Sequence, residues 1–173
     1  MKTITLISSS LSSSSNSSIL IDTTISKIDK SIYNINSIDL KKIDIPFCDG
    51  RSLDQYSENI QQLFEDISRT DYLVFGFPIY CYSISGVFKN FIDIFSKAML
   101  NKKYGVCCSL GSNRSYLAIS DLQKILFFQS NAHMVNPTVV CDYSNFSDGK
   151  VTPDVESRID LMLESLLSTS KNS

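Results

Sequence analysis

Short apolar segments alternate along this sequence with segments in which apolar residues recur at helical spacing. Residues 3–7 are β-branched and apolar, which predicts a strand; Ile21, Ile25 and Ile28 then recur at i, i+4 and i+7, which predicts a helix over about 17–30. Further strands are predicted over 33–40, 72–78, 104–110 and 134–141, and further helices over about 57–68, from Gly86, over about 117–129 and from Val155. Five strands that alternate with five helices need crossover connections, which predicts a parallel sheet with helices on both faces.

The composition is that of an ordinary globular protein. The chain has 173 residues, of which 43% are apolar and 20% charged, with a formal net charge of −2. We expect one domain over residues 1–173, with a frayed polar tail over about 168–173. A nearly neutral chain lacks the positive field that holds nucleic acid, and its apolar runs are shorter than the roughly twenty residues of a bilayer span. Neither nucleic acid nor a membrane is therefore an expected partner, and the lack of a signal-peptide pattern predicts a cytoplasmic protein.

The cysteine and histidine content excludes several kinds of site. The five cysteines are odd in number and contain no C-x-x-C pair, so neither a disulfide framework nor a zinc site is indicated. His133 is the only histidine, which leaves a catalytic triad or a His-rich metal centre with one possible member. No metal is expected.

Three polar loops follow predicted strands. In parallel sheets of this kind, ligands bind outside the carboxyl ends of the strands, where the strand order reverses. The loops in question are residues 8–18, 78–86 and 109–115, and Pro78 is expected to end the third strand. We therefore expect the functional site to be built from these loops.

The first of these loops contains nine serines among the eleven residues 8–18. A flexible, low-complexity linker would have this composition. However, the serines lie between a strand pattern and an amphipathic helix, where a flexible tether would break the first βαβ unit. Serine hydroxyls and free N–H groups at the start of a helix suit a phosphate monoester, which the helix dipole also stabilises.

Two segments resemble the signatures of a known family. Residues 7–18, Ile-Ser-Ser-Ser-Leu-Ser-Ser-Ser-Ser-Asn-Ser-Ser, resemble the phosphate loop of the NADPH-dependent FMN reductase family, commonly G-S-x-R-x-x-S-x-[SN]. Residues 78–93 resemble the family's second signature, P-x-Y-x-x-S-x-x-G-x-x-K-N-x-x-D; the matching residues are Pro78, Tyr80, Ser83, Gly86, Lys89, Asn90 and Asp93. The first segment departs from the family at Ser9, where Gly is frequent, and at Ser12, where Arg is frequent.

The resemblance implies a fold and a cofactor. The fold is a flavodoxin-like α/β three-layer sandwich, with five parallel strands in the order 2-1-3-4-5 and helices on both faces. The cofactor is FMN. The resemblance assigns its phosphate to Ser10, Ser12, Ser15, Asn16 and Ser17, its ribityl chain and ring to Pro78, Ile79, Tyr80, Cys81 and Ser83, and a third flavin loop to Ser109, Gly111 and Ser112. Lys89, Asn90 and Asp93 are expected to serve structure.

The resemblance also implies an activity. A member of the family takes hydride from NADPH or NADH onto FMN and passes electrons to a small-molecule acceptor such as a flavin, a quinone, an azo compound or a metal oxyanion. Because the flavin carries the chemistry, no catalytic side chain is expected. Family members often assemble as homodimers or homotetramers.

Two other functions fit parts of the sequence. A flavodoxin-like electron carrier would bind the same flavin without hydride chemistry, although such carriers are usually strongly acidic. A cysteine-dependent phosphatase is the other, because residues 108–115 fit C-x-x-G-x-x-R-[ST], with Cys108 as nucleophile and Arg114 on the phosphate. Against it, Cys107 precedes Cys108 where a His is customary, and no acid loop is recognisable. The alternative interpretation of Cys107 and Cys108 is that they are strand residues on opposite faces of a buried sheet.

Overall fold

The alternating segments form one central sheet in the computed structural model, which describes residues 1–111 and 115–168. Its strands are β1 (Lys2–Ser8), β2 (Tyr33–Asp39), β3 (Tyr72–Tyr80), β4 (Ser83–Ile84), β5 (Lys103–Ser109), β6 (His133–Met134) and β7 (Val139–Cys141), and a separate hairpin contains β8 (Phe146–Ser147) and β9 (Lys150–Val151). The α-helices of the described residues are α1 (Asn16–Lys27), α2 (Glu58–Ser68), α3 (Gly86–Phe95), α4 (Ala118–Ser130) and α5 (Pro153–Leu167).

The strand order is β2-β1-β3-β5, with β6 and β7 both beside β5. These neighbours are parallel, and within this sheet only β4 runs antiparallel, to β3. The flavodoxin-like fold class is confirmed. The strand order differs slightly from the predicted 2-1-3-4-5, because β6 and β7 share the fifth position and β4 is added beside β3. The register sets Ser8 opposite both Asp39 and Gly76, so the carboxyl ends of β1 and β2 lie at one edge of the sheet.

Helices cover both faces of the sheet. On one face α2, α3 and α4 pack around an aromatic cluster in which Phe75 and Phe88 have ring centroids 5.3 Å apart. On the other face α1 and α5 bury Leu20, Ile159 and neighbouring apolar side chains. The sheet is thus the middle of three layers, as expected for strands whose side chains are apolar on both sides.

The third strand does not end at Pro78, and that prediction is wrong. β3 continues to Tyr80 and then forms a hairpin with β4. The Gly76 carbonyl accepts a hydrogen bond from the Ser9 N–H, so Gly76 faces β1, and Pro78, two residues later, faces the same side. Since β1 has ended at Ser8, the missing N–H of Pro78 removes no ladder hydrogen bond.

Two further boundaries differ from the predictions. The last predicted strand, 134–141, is divided into β6 and β7, because Pro137 between them has no N–H to donate to a ladder. Helix α1 ends at Lys27 rather than near residue 30; Ile28 has extended backbone angles, and the Asp29 carboxylate then accepts from the Ser31 N–H in a tight turn. Residues 169–173 of the predicted frayed tail lie outside the described residues.

None of the helices in the described ranges is both long enough and apolar enough to cross a bilayer.

Candidate functional site

A cleft of about 560 Å³ opens at the carboxyl edge of the sheet. It is lined by the loop after β1, by the end of β3 and by the loop after β5. Its lining comprises Ser10, Ser12, Ser14, Ser15, Asn16, Ser17, Ile19, Pro78, Ile79, Tyr80, Ser109, Leu110, Gly111 and Tyr143. The structure therefore brings together ten of the residues that the resemblance assigns to the flavin, and the volume lies in the range of about 300–1,000 Å³ that is usual for ligand pockets.

The serine loop ends in a well-formed helix start. Ser15 is the N-cap of α1: its hydroxyl accepts from the Ser18 N–H at 3.1 Å, and its carbonyl accepts from the N–H groups of Ser18 and Ile19. The N–H groups of Asn16 and Ser17 have no acceptor among the described residues. The first turn of α1 contains no acidic residue. The positive end of this helix therefore opens into the cleft with free donors.

These donors fit the phosphate of FMN. Serine hydroxyls and amide N–H groups are the groups that bind phosphate at helix N-termini, and the lining named above includes no carboxylate that would repel an anion. The described lining also includes no charged side chain of either sign, as expected when Ser12 stands in the place of the family's Arg. The serine loop is thus a neutral cradle.

The other end of the cleft is formed by Pro78, Ile79, Tyr80, Leu110 and Tyr143. Tyr80 is half exposed and stands at the start of the β3–β4 hairpin, whose two turn residues, Cys81 and Tyr82, both have positive φ. Positive φ at both positions is typical of a type I′ turn, which matches the twist of the flanking strands. An aromatic and apolar surface here is suited to the edge or face of a flat ring.

Two of the predicted site residues that the structure describes do not line the cleft. Cys81 is exposed at the tip of the hairpin. Ser83 points to α4, where its hydroxyl donates to the Asp121 carboxylate at 2.9 Å. Ser112 lies outside the described residues.

The prediction missed four residues of the lining. Ser14 belongs to the serine loop, and Ile19 follows it in the first turn of α1. Leu110 follows β5, and its N–H donates to the Cys141 carbonyl at 2.9 Å. Tyr143 comes from the turn after β7, a loop that the sequence analysis did not consider. Since that loop also follows a strand of the sheet, the same edge rule could have identified it.

The helix signature serves structure. Lys89 and Asp93 form an ion pair at 2.6 Å on the surface of α3. Asn90 accepts from the Cys48 N–H at 2.8 Å and donates to the Pro46 carbonyl at 3.0 Å. Its side chain therefore fastens the segment that follows β2 to α3.

The burial of Cys108, the candidate nucleophile, argues against the phosphatase alternative. Cys107 and Cys108 are fully buried on opposite faces of the sheet, as the strand interpretation predicts. Burial raises the pKa of Cys108 far above the ordinary value of a thiol, so it stays protonated and shielded from a substrate. Arg114 lies outside the described residues.

Comparisons with known proteins agree with this geometry. Residues 2–145 match the NADPH-dependent FMN reductase family. The chain is 33% identical to an NAD(P)H-dependent FAD/FMN reductase of Geobacillus thermodenitrificans over 129 residues, which cover 73% of this chain and 70% of that protein.

Solved structures share the fold. The apo form of an NADH:FMN oxidoreductase superposes with a TM-score of 0.76 at 23% identity, over 98% of this chain and 92% of that chain. The NAD(P)H:acceptor oxidoreductase FerB of Paracoccus denitrificans superposes with a TM-score of 0.75 at 18% identity, over 96% and 97%. The match to the family over residues 2–145 and the 33% identity to its relative show the family itself. The chain belongs to the NADPH-dependent FMN reductase family, whose members are flavin-dependent oxidoreductases.

Proposed function

We propose that the cleft holds FMN, with its phosphate in the serine loop and its ring at the Tyr80 end. The observation that carries this proposal is the acid-free start of α1, where the N–H groups of Asn16 and Ser17 are unpaired within the described residues and face a row of serine hydroxyls. The residues proposed to hold the cofactor are Ser10, Ser12, Ser15, Asn16, Ser17, Pro78, Ile79, Tyr80, Ser109 and Gly111, with Cys81, Ser83 and Ser112 from the resemblance alone.

The side chains of the cleft bind and orient rather than react. Bound FMN supplies two-electron and one-electron redox chemistry between a nicotinamide cofactor, NADPH or NADH, and an acceptor. The described lining offers hydroxyls, amides and apolar surface, and its only titratable side chains are Tyr80 and Tyr143. The protein's part is therefore to anchor the phosphate and to hold the ring against the strand ends.

The direct test is spectroscopic. Purified protein, stripped of any flavin and titrated with FMN, should change the visible absorption of the flavin with one site per chain. Anaerobic addition of NADPH or NADH should then bleach the bound flavin rapidly. A protein that takes up no FMN contradicts the proposed cofactor site, and one that binds FMN but is not bleached is an electron carrier instead.

We also propose the chemical class of the acceptor. A second groove, of about 500 Å³, lies beside the cleft, and Tyr80 lines both. Leu11, Ile43, Ile45, Phe47 and Val87 contribute its apolar walls, and Asp44 is the only charged residue of its described lining. Apolar walls and one carboxylate favour an uncharged, planar, conjugated acceptor, such as a quinone, over a metal oxyanion.

The serine loop separates the two spaces. Ser10 and Ser12 line the cleft, while Ser9 and Leu11 line the groove. An acceptor in the groove would thus approach from the far side of the loop and meet the cleft at Tyr80. This arrangement would let an acceptor meet the flavin beside Tyr80 without displacing the phosphate.

Steady-state kinetics tests the acceptor class. Phe47→Ser should raise the KM for a neutral quinone and leave the rate with ferricyanide unchanged, because Phe47 is a largely exposed wall of the groove. Ile32→Ser is the matched control, since Ile32 is also an exposed apolar residue but immediately precedes β2 and lines neither space. A preference for oxyanions in the wild type, or equal effects of the two variants, contradicts the proposal.

We further propose that each chain forms a single domain and that the protein is cytoplasmic. We also propose that it assembles as a homodimer or homotetramer. Leu117, Phe127 and Phe128 expose large apolar side chains along α4, a surface of the kind that marks protein contacts. Sedimentation should show an oligomer, and Phe128→Lys should shift it toward monomer. A wild-type monomer with full activity contradicts this assembly.

A further inference from the structure

The family's phosphate loop has a cation that this serine loop lacks. Ser12 occupies the position of the usual Arg, and the described lining of the cleft has no charged side chain. A phosphate monoester carries nearly two negative charges at neutral pH, and charge-assisted contacts are the strongest that such a group makes. A cation on a neighbouring element would supply the charge that the loop lacks.

Lys41 reaches it from the next strand. The register places Asp39, the last residue of β2, opposite Ser8, the last residue of β1, so the residues that follow the two strands run side by side. Lys41 lies two residues beyond Asp39 in a short 3₁₀ turn, and its Nζ stands 3.5 Å from the carbonyl oxygen of Ser12. The ammonium group thus contacts the residue that replaces the Arg.

The neighbouring charges leave Lys41 available. Lys42 Nζ lies 3.6 Å from one carboxylate oxygen of Asp39, and the other oxygen accepts from the Lys41 backbone N–H at 3.1 Å. Asp39 is therefore paired with Lys42 and caps the turn. Lys41 itself makes no ion pair within the described residues, and its long exposed side chain can swing over the rim of the cleft.

We propose that Lys41 supplies the positive charge for the FMN phosphate that the family's Arg supplies elsewhere. This inference rests on the proposed binding of FMN in the cleft. It predicts that Lys41 favours phosphorylated flavin: FMN should gain affinity from it, and riboflavin, which lacks the phosphate, should not.

Binding of FMN and riboflavin to Lys41→Gln tests the proposal, with quenching of flavin fluorescence as the readout. Loss of one exposed charge contact should raise the Kd for FMN about fivefold and leave the Kd for riboflavin unchanged. Lys41→Arg should restore FMN binding. Lys42→Gln is the matched control, because it removes the neighbouring cation of the same turn. The Lys42 side chain pairs with Asp39 and does not contact Ser12.

Salt dependence is the second readout. Raising the ionic strength from about 0.01 M to about 1 M shortens the Debye length from about 30 Å to about 3 Å. The FMN affinity of the wild type should therefore fall more steeply with salt than that of Lys41→Gln.

The outcomes separate this inference from the proposed function. A wild type that binds neither flavin overturns the FMN site, and this inference with it. A wild type that binds FMN while Lys41→Gln binds it equally well overturns only the role of Lys41. Equal weakening by Lys41→Gln and Lys42→Gln, or an effect of Lys41→Gln on the KM for NADPH alone, overturns it as well.

Discussion

Gly76 of β3 lies so close to Ile21 of α1 that a Cβ at position 76 would overlap the Ile21 side chain. The same Cβ would stand 3.2 Å from the Ser17 carbonyl oxygen. Because Gly76 has no side chain, the first turns of α1 can pack closely against β3. The end of β3 forms the opposite wall of the cleft. The close packing of α1, and with it the position of the serine loop, therefore depends on the absence of a side chain at Gly76.

Gly76→Ala should therefore destabilise the fold. Overpacking of this kind costs about 1–3 kcal/mol, and relief by outward movement of α1 should also weaken FMN binding. Chemical denaturation and FMN titration measure the two effects. Gly86→Ala is the control, because a Cβ at the start of α3 meets no atom within 4 Å. A Gly76→Ala protein as stable as Gly86→Ala contradicts the close approach.

Asn16→Asp should raise the stability of the fold and lower the affinity for FMN. Asn16 is the first residue of α1, where a carboxylate interacts favourably with the helix dipole, so stability should rise by about 0.3–1 kcal/mol at low salt. The same carboxylate would face the phosphate in the cradle, so FMN affinity should fall at least tenfold, about 1.4 kcal/mol. Thermal melting without flavin and a flavin titration give the two values. Unchanged FMN binding would mean that the phosphate lies elsewhere.

Thiol labelling should divide the five cysteines into two classes. Cys48 and Cys81 are exposed and should react rapidly with a thiol reagent in the native protein, whereas Cys107, Cys108 and Cys141 are buried and should react only after unfolding. Mass spectrometry of labelled peptides identifies them. Rapid labelling of Cys108 in the native protein would contradict its burial. Hydrolysis of a phenyl phosphate ester by the wild type, with loss of that activity in Cys108→Ser, would support the phosphatase function instead.

The same buried thiols should make the protein sensitive to alkali. Burial raises the pKa of Cys107 to about 12 and that of Cys141 to about 11, from an ordinary 9.0. Above pH 9 the unfolded chain therefore loses protons that the folded chain keeps, so the free energy of unfolding should fall as pH rises from about 9 to 12. The fully buried Cys107 contributes a slope of about 1.4 kcal/mol per pH unit over this range, and Cys141 adds a smaller one that ends near pH 11.

Denaturation at several pH values measures this slope. Cys141→Ala should make it shallower, and Cys48→Ser, which removes an exposed thiol, should leave it unchanged. A free energy of unfolding that is constant between pH 9 and 11 would contradict the burial of these groups.

The order of the main elements and the three loops that line the cleft could be predicted from the sequence. Apolar runs and helical periodicity are local patterns, so they predicted the main strands, the parallel sheet and the cradle at residues 8–18 without knowledge of any contact. The two signatures then pointed to the family, because seven residue types at fixed spacing rarely coincide by chance.

Other features follow from the folded arrangement, because they depend on which strands are neighbours and in what register. Pro78 remains in β3 because β1 ends opposite Gly76. Lys41 meets Ser12 because β1 and β2 end side by side, although the two residues are 29 positions apart. Contacts between residues so distant along the chain leave no local periodicity or spacing from which the sequence could have predicted them.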